Sequence, residues 1–221
     1  SGITAPAYAV TKHYDIQHPN DDLETVTFVD GFGRAVQVKK DGVVTSASKG
    51  NSAKDENVMI VSGRNVYDAF GRVAKSFYPT TEGTGSKSTF SKSFDNVSPT
   101  VTVYDVLDRA TSVTLPDNST TTTAYTVDNG SHALVTTVTD ALHNVQATHT
   151  NGSGKTVKTI QKSGPDGEIT TSFEYDGIQR LVRVTDTEGN VTTSTYDMGD
   201  RRTEVNHPAS GITNFTYDAL G

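Results

Sequence analysis

Apolar and polar residues alternate along this chain in short runs and do not recur at a helical spacing. Segments such as Val58-Met59-Ile60-Val61 and Thr192-Thr193-Ser194-Thr195 have strand length and are rich in β-branched residues, and Gly, Asp, Asn and Pro cluster between such runs. Turn-forming clusters fall about every 10 residues, the spacing of successive antiparallel strands. No leucine- and alanine-rich stripe of the kind a helical core needs is visible. The pattern predicts an all-β fold: an antiparallel, strongly curved sheet of successive hairpins with almost no helix. Two stretches break the rhythm, residues 41–64 and 79–99, which are rich in Gly, Ser and Lys and read as extended loops or projecting hairpins. Residues 1–25 read as a lead-in, in which Tyr14-Asp15 is either a worn repeat or merely incoming chain; residues 26–221 read as repeats.

The repeated unit is an aromatic, then Asp, two variable residues, often Gly, then often Arg. Its first form is Phe28-Val29-Asp30-Gly31-Phe32-Gly33-Arg34, with the Tyr replaced, and its cleanest is Tyr67-Asp68-Ala69-Phe70-Gly71-Arg72. It returns as Tyr104-Asp105-Val106-Leu107-Asp108-Arg109, Tyr175-Asp176-Gly177-Ile178-Gln179-Arg180 and Tyr196-Asp197-Met198-Gly199-Asp200-Arg201. Tyr217-Asp218-Ala219-Leu220-Gly221 is cut short, and Thr139-Asp140-Ala141-Leu142-His143-Asn144 reads as a degenerate copy without Tyr or Arg. From Asp30 to Asp218 the aspartates step by 38, 37, 35, 36, 21 and 21 residues. The last units therefore look like the basic period, and the earlier ones like units with extra hairpins. Between motifs lies a second turn type, 186–190 and 207–211, with Pro116-Asp117-Asn118-Ser119 and Gly164-Pro165-Asp166-Gly167 as earlier forms.

Each piece has a physical reason. Asp caps a turn by accepting backbone N–H groups. Gly supplies the positive φ of a tight connection. Aromatics two positions apart, as in Phe173/Tyr175 and Phe215/Tyr217, fall on one sheet face. Repeated, they would stack rings along the sheet and give a leucine-poor chain its core. The Arg after the turn is placed to fork onto the Asp or onto a carbonyl of the neighbouring unit. Terminal repeats need caps, so an exposed sheet edge is expected at Gly221.

Composition narrows the function. Hydrophobic residues make up 33% of 221, and the mean hydropathy is -0.46, which suits strands with wet faces. The net charge of -7 and the lack of a basic run longer than Lys39-Lys40 argue against nucleic acid as a partner. No apolar run approaches the ~20 residues of a membrane span. The chain has no Cys and opens Ser1-Gly2 without Met or a signal pattern, which reads as a processed fragment compatible with export.

Candidate chemistry is sparse. Gly154-Lys155-Thr156 resembles the end of a P-loop, but His149 stands where the first glycine belongs, so 151–154 reads as a hairpin turn. Ser46-Ala47-Ser48-Lys49 has an acyl-enzyme spacing without the partner motifs. His13, His18, His132, His143, His149 and His207 show no metal-binding spacing. The acidic turns Asp186/Glu188/Asn190 and Asn20/Asp21/Asp22 read as capping rather than calcium sites. The recurrent aspartates favour structure over a unique catalytic pair, so neither an enzyme nor a cofactor is expected. Exposed Tyr with Asp rims would suit a glycan, although a Tyr in every unit is more simply packing.

Several motif copies, joined by the Asp-x-x-Gly-Asn turn, resemble the YD or Rhs repeats of bacterial Rhs toxins, of the B and C subunits of insecticidal toxin complexes, and of teneurins. The resemblance covers about residues 26–221, and Asp30-Gly31-Phe32-Gly33-Arg34 followed by Val36-Gln37-Val38-Lys39 is most similar to the toxin-complex B-subunit branch. It implies a long antiparallel sheet wound into a hollow shell that encloses a toxin polypeptide, in a secreted or cell-surface protein. The partners implied are the rest of the shell, the enclosed polypeptide and, from an older description of the family, a carbohydrate. An adhesion or glycan-binding module is the alternative. The Asp-Pro of the family's autocleavage motif is absent from this sequence, so self-cleavage is not implied.

Overall fold

The computed structural model describes residues 6–14, 16, 22–46, 53–92, 96–164 and 167–218. They fall into two compact units, Ser1–Ser119 and Thr120–Gly221. Every strand pair within each unit is antiparallel. No α-helix occurs among the described residues, and the one helical turn is a 3-10 turn at Thr84–Ser86.

The first unit holds β1 (Ala7–His13), β2 (Leu23–Val29), β3 (Ala35–Ser46), β4 (Lys54–Ser62), β5 (Asn65–Tyr67), β6 (Val73–Ser76), β7 (Thr80–Gly83), β8 (Thr100–Tyr104) and β9 (Ala110–Thr114). Five of these form one sheet in the order β1-β2-β3-β4-β7. The others pair as β5-β6, β6-β8 and β8-β9. Strict alternation buries Glu24, Val26 and Phe28 on one face of β2, as a half-buried strand requires. That face continues through Lys39 and Gln37 on β3 and Met59 and Val61 on β4, with Val26 opposite Lys39 and Lys39 opposite Val61.

A strap of residues 84–91 covers this face, held largely by polar attachments. Lys39 is fully buried; its Nζ donates to Glu82 Oε2 at 2.6 Å and to the Ser86 carbonyl at 2.9 Å. Gln37 pairs with Ser91 like a peptide group, Nε2 donating to its carbonyl at 3.0 Å and Oε1 accepting its N–H at 2.9 Å. Lys87 reaches the Glu24 carboxylate, and the Phe90 ring meets Phe28 edge-on at 5.5 Å. These bonds meet the rule that buried polar groups must be partnered.

Residues 41–64, read as an extended loop or projecting hairpin, form the hairpin, while 79–99 and 1–25 each supply a strand to the first sheet. β3 and β4 form one long hairpin in continuous register from Val38↔Ser62 to Ser46↔Lys54. Its lysines and glycine hid a strand: Lys39 points into a polar core, and Gly42 leaves room for Ile60, whose Cδ1 would lie 2.5 Å from a Cβ there. β7 pairs with β4, and β1 pairs with β2 over its whole length. Asp15, His18, Asn20, Asp21, Ala47-Ser48-Lys49 and the Gly221 edge lie outside the described residues.

The second unit is a nine-stranded meander: β10 (Thr120–Val127), β11 (Leu134–Thr139), β12 (Val145–Thr150), β13 (Thr156–Lys162), β14 (Glu168–Tyr175), β15 (Leu181–Thr185), β16 (Val191–Tyr196), β17 (Arg202–His207) and β18 (Gly211–Asn214). Each strand pairs with the next. Its only buried apolar residues among those described are Ala133 and Ala147. This is a single layer: Phe173, Val184 and Thr192 line up on one face, and Ser172, Thr185 and Val191 on the other.

Glu82→Ala should strand the buried Lys39 charge and cost about 2–3 kcal/mol, below the range for a fully buried pair because Glu82 keeps some water. The double change Lys39→Met/Glu82→Leu should recover most of that loss. Urea denaturation of the three proteins checks both values.

Candidate functional site

The repeated motif builds a clasp. In the cleanest copy, Asp68 Oδ1 accepts the N–H groups of Phe70 at 2.9 Å and Arg72 at 3.0 Å, and Oδ2 accepts Arg72 Nε at 2.7 Å. The backbone closes the loop, with Asp68 N–H donating to the Arg72 carbonyl and Gly71 N–H to the Asp68 carbonyl. Loops 30–34, 105–109, 176–180 and 197–201 repeat the same bonds. Each is a three-residue hairpin connection, a turn followed by one left-handed residue. Glycine fills the left-handed position in Gly33 and Gly71, but Asp108 (φ 61°), Gln179 (φ 70°) and Asp200 (φ 63°) hold it elsewhere. Glycine is therefore not what the turn requires in every copy.

Bonded at Nε, the guanidinium is aimed at the next repeat, and the Arg forks onto both its own Asp and the neighbour. Arg72 Nη1 donates to the Asp105 carbonyl and to Asp108 Oδ1, both at 2.8 Å, while its guanidinium lies 4.8 Å from the Tyr104 ring centroid. Arg180 does the same to the Asp197 carbonyl and Asp200 Oδ1, both at 3.0 Å, and covers Tyr196 at 4.9 Å. Arg34 covers Tyr67 at 4.1 Å, and Arg201 covers Tyr217 at 4.9 Å and reaches the Asp218 carbonyl at 3.5 Å. Each Tyr hydroxyl donates to the carbonyl just after the preceding cation: Tyr67 to Ala35, Tyr104 to Val73, Tyr175 to Thr156, Tyr196 to Leu181 and Tyr217 to Arg202. What recurs along the sheet is thus tyrosine under guanidinium, rather than the ring-on-ring ladder read from the sequence.

The Tyr175 bond exposes a repeat that the sequence hid. Its acceptor follows Lys155, so the clasp before Tyr175 is loop 151–155. There Asn151 Oδ1 accepts Ser153 and Lys155 N–H groups, and Lys155 Nζ lies 6.0 Å from the Tyr175 centroid. Asp140, read as the worn copy, closes a hairpin one strand away, and alternate turns of a meander lie at opposite strand ends. At the Tyr-Asp end of this unit the described loops are closed by Asp128, Asn151, Asp176 and Asp197, and Asp218 continues the spacing, so the long steps around Asp140 dissolve into a near-regular period. Asp140 and Asp186 instead close on Asn144 and Asn190, whose Nδ2 donates to Oδ2 at 2.8 Å in both.

The electrostatics follow from the bonds. Asp30, Asp68, Asp105, Asp176 and Asp197 are all held below the usual carboxylate range. The Arg34 side chain is the main cause for Asp30, and the backbone N–H of Arg180 or Arg201 for Asp176 and Asp197. For Asp68 and Asp105 the largest effect is loss of water, which pushes upward, but the donors of Arg72 and Arg109 outweigh it. Among the described residues no three His, Asp or Glu side chains converge on a metal-sized site. None of their helices is long and apolar enough to cross a membrane.

A meander whose loops carry this head-to-tail clasp is a YD- or Rhs-repeat structure, and an RHS repeat matches at residues 175–212. The chain belongs to the family described as Domain of unknown function (DUF6443), which matches residues 3–125 and so takes in the strapped sheet. No curated protein matches the sequence. Among solved structures, the fold is similar to "Crystal Structure of TcdB2-TccC3-TEV", with a TM-score of 0.59 at 17% identity over 98% of this chain. It is also similar to "Crystal Structure of TcdB2-TccC3-Cdc42", with 0.58 at 16% over 98%, and to the TcdB2-TccC3 structure without its hypervariable C-terminal region, with 0.56 at 16% over 96%. The chain spans 13% of the length of each of those chains.

Tyr196→Phe should remove one hydrogen bond between repeats and cost about 1 kcal/mol in thermal or urea unfolding. A carboxylate whose folded pKa is depressed stabilises fully above its unfolded value, about 3.9, and loses that contribution as pH falls through the folded value. Amide protection relative to the unfolded chain at loops 68–72, 176–180 and 197–201 should therefore fall below about pH 4. Loop 151–155, closed by an amide, should hold its protection over the same range.

Proposed function

We propose that this chain is a stretch of wall in a shell that encloses a toxin polypeptide, within a secreted or surface protein. The observation that carries the reading is the second unit itself: nine strands in sequence order with almost no buried apolar side chain. An ordinary domain buries one sheet face against a second layer. Here order comes from the ladders and from contacts between successive loops, so both faces stay free for other duties. The likeness to TcdB2-TccC3 chains, together with the YD motifs, supports a role in a larger container. The chain's work on this reading is mechanical, with no catalytic group and no cofactor: a continuous sheet keeps the enclosed polypeptide from refolding, from its targets and from proteases.

Limited proteolysis of the full-length polypeptide that carries this chain tests the reading. A downstream segment that resists protease while the repeats are folded, and is digested once they unfold, is the expected result. A downstream segment cut at the same rate before and after unfolding overturns it.

A further inference from the structure

We propose that the left-handed residue of each Tyr-Asp loop selects the cation of the preceding repeat, and that this pair sets which hairpin can follow which. The inference rests on the wall reading above and adds the residues that order the wall. A side chain at positive φ is strained, so glycine is the default there. Yet two clasp loops keep aspartate, Asp108 and Asp200, and in both the carboxylate takes Nη1 of the preceding arginine, Arg72 at 2.8 Å and Arg180 at 3.0 Å. Strain at the turn is thus coupled to an ion pair between repeats.

Two other loops carry a different residue at that position. Gly71 follows Arg34, whose Nη1 would lie 3.1 Å from a Cβ at that position, so the arginine already stands over it. Gln179 follows Lys155, and there the pairing fails: Gln179 Oε1 is buried without a hydrogen-bond partner, and the lysine sits at the far limit of contact with Tyr175. The mismatch begins one loop earlier. An Asp at the loop start offers Oδ2 to an arginine Nε, but Asn151 offers its NH2 group in that place, so an arginine at 155 would face donor with donor. Asn151 and Lys155 belong together, and Gln179 is left without its fork. The selector is therefore read through three positions: the closing Asp aims the arginine, and the arginine meets the left-handed residue of the next loop.

The test is a restoration in the full chain. Asn151→Asp/Lys155→Arg, Gln179→Asp and the triple variant are compared by amide exchange of loop 176–180 and by urea unfolding at low and high salt. Selection predicts that the triple variant gains about two- to fivefold more protection than the separate changes combined, the range for an exposed ion pair, and that the excess shrinks in high salt. Purely additive effects overturn the proposal. Should the triple variant misfold, Asp200→Gly decides: protection of loop 197–201 falls if the Arg180 pair matters, and rises if relief of strain is all that changes. None of these readouts involves an enclosed polypeptide, so the selector can fail while the wall reading stands, and the reverse.

Discussion

One carboxylate closes each Tyr-Asp hairpin, and its two oxygens divide the work. Oδ1 ties down two backbone N–H groups of the loop, and Oδ2 holds the arginine at Nε. Because Nε is taken, the rest of the guanidinium has one direction left, outward over the next tyrosine. A local turn closure thereby becomes a contact between repeats. The tyrosine answers with its hydroxyl on the carbonyl just past the arginine, so each joint is locked from both sides. Arginine suits this place because its planar fork serves three acceptors and one ring at once, which an ammonium cannot do.

The two units meet the problem of a weak core differently. In the first, a strap lies over the sheet and is pinned by Lys39, Gln37 and Glu24, polar groups that stay buried only because each has a partner. Such pins favour one seating of the strap, since a slipped strap would orphan them. In the second unit there is nothing to bury, and neighbours replace the core. Stability in such an array is close to a sum of repeat and neighbour terms. Every broken joint then weakens its own locality first.

The all-β class, the hairpin rhythm, the motif aspartates and the fork of Arg72 and Arg180 were legible in the sequence, because each depends on residues a few positions apart. The strapped sheet was not. The stretch from Asp41 onward reads equally as loop or hairpin, and nothing in the sequence shows that the neighbouring Lys39 meets Glu82, a contact 43 residues away. The true repeat at 151–155 was missed because Asn and Lys replace Asp and Arg together, while Asp140 keeps the motif's letters at the wrong strand end. Counting strands, instead of aspartates, would have found it: two strands and a single intervening turn separate successive clasps throughout the second unit. Asp108 and Asp200 stand where other copies have Gly, and the sequence cannot show the arginine reaching them from the repeat before.

The clasp also makes the second unit's two ends unlike. At the Tyr-Asp end a guanidinium bridges consecutive loops, from Arg180 to Asp197 and from Arg201 to Asp218. At the other end Asp186 closes onto Asn190, whose amide is consumed within the loop and reaches no neighbour through that bond. His207 likewise caps its own turn, with Nδ1 accepting the Ala209 and Ser210 N–H groups. The far margin is joined by neutral contacts instead, from Ser163 Oγ to Asn144 Oδ1 at 2.8 Å and from the Thr170 N–H to Thr187 Oγ1 at 2.7 Å. Charge-assisted bonds are stronger than neutral ones, so the Tyr-Asp margin is the more firmly tied of the two.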